Sequence, residues 1–289
     1  MGCNQCRKGY QKVNYLAPDE KEINFKDYSS PNDAPLSIIE SSDNLFRHVA
    51  LYEYINLLES FTIENSTITT ELKKNQFSSS DEFYQKEISV EEFQSFIENK
   101  IFKIDEISTL ITNNESTASI FKQICIEIYR ALELKLGQHS NSESNIVVKK
   151  KDLIPLGLIF CSCNNIEKIK LLFDLFKNEN DEFCKSEELS DFMLSNFLTA
   201  SYCLISARNK IGKNNESIEE LKREDLIKLV NCAELKDSEN LVQVFNEQFF
   251  NKESFNWTEF KGKFEDIENG YGWIFSSKGI RRKLEENNK

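Results

Sequence analysis

From Asn44 onward, apolar residues recur at steps of three and four: Phe46, Val49, Ala50, Tyr54, Leu57, Leu58 and Phe61. That spacing lines one face of a helix, with Asp43 or Asn44 placed to cap it. A second periodic stretch follows Ser89 through Phe93, Phe96, Ile97 and Ile101. A third starts near Ser116 or Thr117 and runs through Ile120, Phe121, Ile124, Cys125, Ile128 and Leu132 to a predicted stop at Gly137. The stretch 137–145 has no apolar member and reads as a boundary between two helical halves, or as a long exposed loop. Leu153 to Cys161 is apolar all round, which predicts a buried helix start with Pro155 in its first turn. Further helices are predicted near 166–176, 187–208, 223–234, 238–249 and 257–267, and Ser217 with Glu220 has capping-box spacing.

The fold class read from this pattern is all-α, a helical array. Only 9 Gly and 4 Pro occur in 289 residues, with Pro18, Pro31 and Pro35 near the start, so breakers are too few for a turn-rich β fold. Four regions are expected: a flexible tail over 1–43, an amino-terminal helical region over 44–140, a second helical unit over 146–270, and a terminal helix or tail over 271–289. The net charge of −12 excludes wholesale electrostatic binding of nucleic acid, which needs a basic face, and repels an anionic membrane surface. No apolar run approaches the roughly 18 residues of a membrane-spanning helix, and the first residues lack a signal-peptide core. A cytoplasmic protein with reduced cysteines is expected.

Candidate chemistry is sparse. Cys161 and Cys163 lack zinc-site spacing and no second close pair follows, so they read as small buried hydrophobes. The chain has 2 histidines, His48 and His139, which leaves little supply of a base for a cysteine nucleophile. Gly-rich phosphate loops, nucleophile elbows and His-Glu-x-x-His helices are missing from the sequence, and no catalytic residue is proposed. Lys149, Lys150 and Lys151 read as a solvated helix start, and Arg281, Arg282 and Lys283 as part of a solvated terminal helix.

The opening octet, Met1-Gly2-Cys3-Asn4-Gln5-Cys6-Arg7-Lys8, places a glycine behind the initiator methionine, the acceptor arrangement for N-myristoylation, with Cys6 where Ser or Thr is usual. It resembles the start of certain Src-family kinases, over those eight residues alone. The resemblance implies a myristoyl chain on Gly2 and palmitoyl chains on Cys3 and Cys6. One myristoyl chain binds a bilayer only marginally, on the order of 10⁴ M⁻¹, so the cysteines would supply the second signal. Arg7, Lys8 and Lys12 add local positive charge ahead of the first acid, Asp19.

Two carboxy-terminal segments resemble EF-hands. An EF-hand places a loop of about 12 residues between two helices, with side-chain oxygens at its first, third, fifth and twelfth positions and glycine at the sixth. Ile166, Ile169, Phe173 and Phe176 form an incoming helical face ahead of the loop Lys177 to Glu188, in which Glu179, Asp181 and Glu188 hold the third, fifth and twelfth positions. Lys177 at the first position and Glu182 at the sixth depart from the pattern. Around 238–264, Leu241, Val242 and Phe245 precede Phe255-Asn256-Trp257-Thr258-Glu259-Phe260, with Phe255 at the eighth position and Glu259 at the twelfth. A further echo is Ile88-Ser89-Val90-Glu91-Glu92-Phe93. The pattern is similar to the recoverin and calcineurin-B type, in which a lipidated tail precedes paired hands. That resemblance implies an EF-hand-like pair over 146–270, with Glu179, Asp181 and Glu188 as the Ca²⁺ ligands if any ion binds. The expected function is a membrane-tethered adaptor at the cytoplasmic face, holding a protein partner. The alternatives are a true Ca²⁺ sensor or a structural subunit of a cytoskeletal or ciliary assembly.

Overall fold

Among the described residues, four two-residue strands each lead into a helix. The computed structural model describes residues 23–26, 44–61, 86–113, 115–137, 148–211 and 233–287. Asn44 Oδ1 accepts from the Phe46 amide at 2.9 Å and caps the 3-10 turn Leu45–His48, ahead of α1 (Leu51–Ser60). Strand β1 (Glu87–Ile88) leads into α2 (Val90–Phe96), which widens into a π-turn over Ile97–Ile101. Then come α3 (Asp105–Asn113) and α4 (Glu115–Gly137). Strand β2 (Val148–Lys149) leads into α5 (Lys150–Phe160), which α6 (Asn165–Phe176) follows. Strand β3 (Phe183–Cys184) precedes α7 (Glu187–Ile211). The chain continues through α8 (Ala233–Phe249), β4 (Ser254–Phe255), α9 (Trp257–Gly262), a 3-10 turn Tyr271–Phe275 and α10 (Ser277–Asn287). The protein is mostly helical, as the periodicity predicts.

Local chemistry explains where the helices start. Ser89, Asn164 and Asn256 each accept from the amide three residues on, while Glu92, Glu167 and Glu259 reach back to the cap amide. These capping boxes satisfy donors that the first helical turn leaves without partners.

The strands join in two antiparallel pairs. Ile88 stands opposite Val148 in β1–β2, and Phe183 opposite Phe255 in β3–β4. The buried Tyr129 on α4 ties the first pair together: its hydroxyl donates to Ile88 O at 2.5 Å and accepts from Val148 N at 3.4 Å. Phe183 is the hub of the second pair, its ring 4.2 Å from Phe260, 5.9 Å from Phe250 and 6.0 Å from Phe249, centroid to centroid.

One continuous apolar core runs through both pairs. Helix α7 packs on α4, α5, α8 and α10, and Ser195 Oγ on α7 donates to the buried Asp152 Oδ1 on α5 at 2.8 Å. Strand β2 pairs with β1, and α5 packs on α1. Val148, the last residue but one before α5, is buried opposite Ile88.

Three expectations change. Helix α5 begins at Lys150, which puts Pro155 in its second turn rather than its first. Lys150 is buried, with 1% of its surface exposed, and its ammonium donates to Leu58 O at 2.8 Å and Phe61 O at 2.6 Å, closing the end of α1. Arg281 is buried too, because α10 lies across α7 and α8 instead of standing in solvent.

Candidate functional site

The loops joined by β3 and β4 carry the sequence's metal candidates, and their local geometry differs from the pattern read there. Helix α6 ends at Phe176 and the chain turns back at once. Asn178 Oδ1 accepts from the amides of Asn180 and Glu182, at 2.9 Å and 3.0 Å, and the Asn178 amide donates to Glu182 O at 2.8 Å. The left-handed residue of this turn is Asp181, at φ 57°, rather than Glu182 at the expected sixth position. Aspartate tolerates that region better than most residues because its short side chain bonds locally. The turn is tight enough for Lys177 to bridge directly to Phe183.

The strand register shifts accordingly. Counting from Lys177 places Cys184 at the apolar pairing position, but Phe183 stands opposite Phe255. Phe183 is the larger apolar residue and has an aromatic pocket between α6, α8 and α9 to fill, which Cys184 could not. The following helix starts late. Ser186 Oγ accepts from the Leu189 amide at 3.0 Å, so Glu188 falls one residue short of the third helical position. In the other loop Asn256 caps α9 and Glu259 occupies that third position.

Glu179, Asp181 and Glu188 are exposed and the structure does not gather them. Among the described residues no group of three or more His, Cys, Asp or Glu is placed to hold a metal ion. Asp181 is engaged instead by Lys177, whose Nζ lies 2.8 Å from its Oδ1 and 3.3 Å from Asp174 Oδ1. That hydrogen bond holds the Asp181 carboxyl below its usual range and raises the Lys177 ammonium. Across the pair, Lys252 Nζ lies 2.5 Å from Glu259 Oε2, which also accepts from the Asn256 amide at 3.1 Å. The lysine is the main cause of Glu259's lowered pKa. Lys263 stands nearby, 3.2 Å from Asn251 Oδ1 and 5.0 Å from the centre of the Phe255 ring. Burial and the neighbouring Lys252 lower its pKa.

No protein-family model, curated protein or solved structure matches this chain. Its reading rests on its own residues.

Gly2, Cys3 and Cys6, the lipidation candidates, lie outside the described residues, as does the Ser217–Glu220 capping box. No helix among the described residues is long and apolar enough to cross a membrane. Burial pushes the Cys161 thiol up and brings Cys163 to about 12, so neither is a thiolate near neutral pH.

Sequence reasoning missed Val148-Lys149-Lys150-Lys151-Asp152. This segment repeats the order found at Ile88-Ser89-Val90-Glu91-Glu92 and at Phe255-Asn256-Trp257-Thr258-Glu259: an apolar residue, a cap, two helical residues and an acid. The signal was the fixed four-residue step from apolar residue to acid. It was hidden because Lys149 is an unusual cap and makes no side-chain capping bond.

Proposed function

We propose that this protein is a membrane-tethered adaptor built from EF-hand-like pairs, which holds a protein partner without using calcium as its signal. The observation that carries the reading is the pairing of four strand–helix units two by two, Ile88 with Val148 and Phe183 with Phe255. Short antiparallel contacts between loops, each followed by a helix, are how paired hands associate. Ile88 and Phe255, apolar positions of the EF-hand-like segments, stand in these pairs, and Glu92 and Glu259 lie in the first turn of the helices that follow.

Partner binding through a helical groove gains support from the chain itself. Helix α10, with Ile280 buried, lies across α7 and α8, and Trp273 just before it stacks on Phe197 at 5.6 Å between ring centres. Asn196 Nδ2 on α7 donates to Ile274 O at 2.8 Å. This face of the second pair thus receives an amphipathic helix, the form in which opened EF-hand pairs grip their targets.

The tether rests on the Gly2-Cys3-x-x-Cys6 octet with its basic followers. Acyl chains would hold an acidic body at a bilayer whose surface charge repels it. Metabolic labelling with a myristate analogue tests this directly. Label on the wild type and none on Gly2→Ala is the expected result; equal labelling of both removes the tether.

A further inference from the structure

We propose that Lys177 and Lys252 are the built-in cations of the two loops joined by β3 and β4, so that this pair keeps its form without a divalent ion. The inference rests on the EF-hand-like reading above and concerns how that same pair is regulated. In a metal-binding hand, the ion draws together side-chain oxygens from the first, third, fifth and twelfth loop positions. Here a lysine in each loop engages an acid of the same loop. Lys177, which opens the first loop, reaches Asp181 in its left-handed turn, 2.8 Å away, and Asp174 ahead of the loop at 3.3 Å. Lys252, at the fifth position, reaches Glu259 at the twelfth, 2.5 Å away.

Each ammonium group therefore ties a carboxylate of its own loop, the type of group a bound ion would draw in. The arrangement is reinforced in each loop. Asn178 closes the first loop through two backbone amides, leaving its turn complete on internal bonds. In the second, Lys252 lies 5.1 Å from the centre of the Phe255 ring, and Lys263 sits 5.0 Å from the same ring on the same side chain cluster. A divalent cation approaching Glu259 would meet the Lys252 ammonium already on its Oε2. Like charges at close range repel. The consequence is a pair set permanently in its joined form, presenting the same face to a partner at any calcium level.

Hydrogen exchange on the full chain tests this, read at the backbone amides of residues 183–184 and 254–255 in wild type, Lys177→Met, Lys252→Met and Lys252→Arg. Methionine keeps the stem and removes the charge; arginine keeps the charge. The methionine variants should exchange roughly two- to fivefold faster at these amides, the scale of an exposed ion pair, and Lys252→Arg should match the wild type. Millimolar calcium chloride, set against a chelator, should leave the wild-type rates unchanged. Wild-type rates in both methionine variants would overturn the proposal, and so would slowing of wild-type exchange by calcium. The arginine and calcium arms use proteins that keep the native charge, so they decide the matter even if a methionine variant fails to fold. Unprotected strand amides in the wild type would sink the paired-loop reading along with this one. Protected amides indifferent to the lysines would sink only the built-in cations.

Discussion

Replacing Lys150 with methionine probes the most unusual polar group in the core. Its ammonium is 1% exposed and donates to Leu58 O at 2.8 Å and Phe61 O at 2.6 Å, with Glu59 O at a marginal 3.4 Å. These are the carbonyls that the end of α1 leaves without helical partners. Two short hydrogen bonds from a charged donor are worth about 3–6 kcal/mol together. Against this stands desolvation: burial, with Lys86 nearby, lowers the Lys150 pKa from 10.5 to about 8. That drop corresponds to about 3 kcal/mol of penalty on the charged form. The bonds should win narrowly, so Lys150→Met should lose about 2 kcal/mol at pH 7, or roughly 4–8 °C in Tm. Urea unfolding of both proteins checks the figure.

A second arm tests the cause. Because Lys150 titrates near 8 in the folded chain and near 10.5 when unfolded, the unfolded state binds more protons between those pH values. Stability contributed by this residue therefore rises with pH across that window. The methionine variant lacks the rise, so the gap between the two proteins should widen from pH 8 to pH 10.5. A variant as stable as the wild type at pH 7 would show that desolvation outweighs the bonds, as it does for some buried ion pairs. A gap that stays constant would refute the titration argument.

Other substitutions test the packing that places the strand pairs. A Cβ on Gly157 would sit 2.3 Å from Tyr54 Cδ1, while the Tyr54 hydroxyl is held on Leu153 O at 2.9 Å. Gly157→Ala should therefore cost about 1–2 kcal/mol in chemical denaturation, despite the gain of about 1 kcal/mol in helix propensity. Tyr129→Phe removes the hydroxyl between Ile88 O and Val148 N and should cost about 1–3 kcal/mol, with faster exchange confined to β1–β2. Phe183→Ala empties the hub of the second aromatic cluster and should cost about 3–5 kcal/mol, whereas Cys184→Ala, at the half-buried neighbour, should cost under about 1 kcal/mol.

Much of the helical layout was legible because it depends on local chemistry. Ser89 with Glu92 and Asn256 with Glu259 announce their capping boxes within four residues, and Gly137 ends its helix where the periodicity stops. What escaped depended on distant partners. Lys150 looks solvated beside Lys149 and Lys151, yet the carbonyls that hold it come from Leu58 and Phe61, some ninety positions away. Phe183 and Cys184 are adjacent and either could face the partner strand; the aromatic pocket built by Phe249 and Phe260 selects the first. Nothing within the polar stretch 137–145 reveals that Val148 will pair with Ile88. The candidate ligands lie apart for a related reason. Their spacing followed a loop of standard length, and the early turn at Asp181 with the late cap at Ser186 moved them out of register.

The most direct test of a calcium-independent membrane adaptor is flotation of the full chain, expressed in cells, on membranes prepared in chelator. Wild type should rise with the membranes in chelator and with added calcium alike, while Gly2→Ala stays in the soluble fraction. Wild type that floats only once calcium is added, or a Gly2→Ala chain that floats as well as the wild type, would contradict the account.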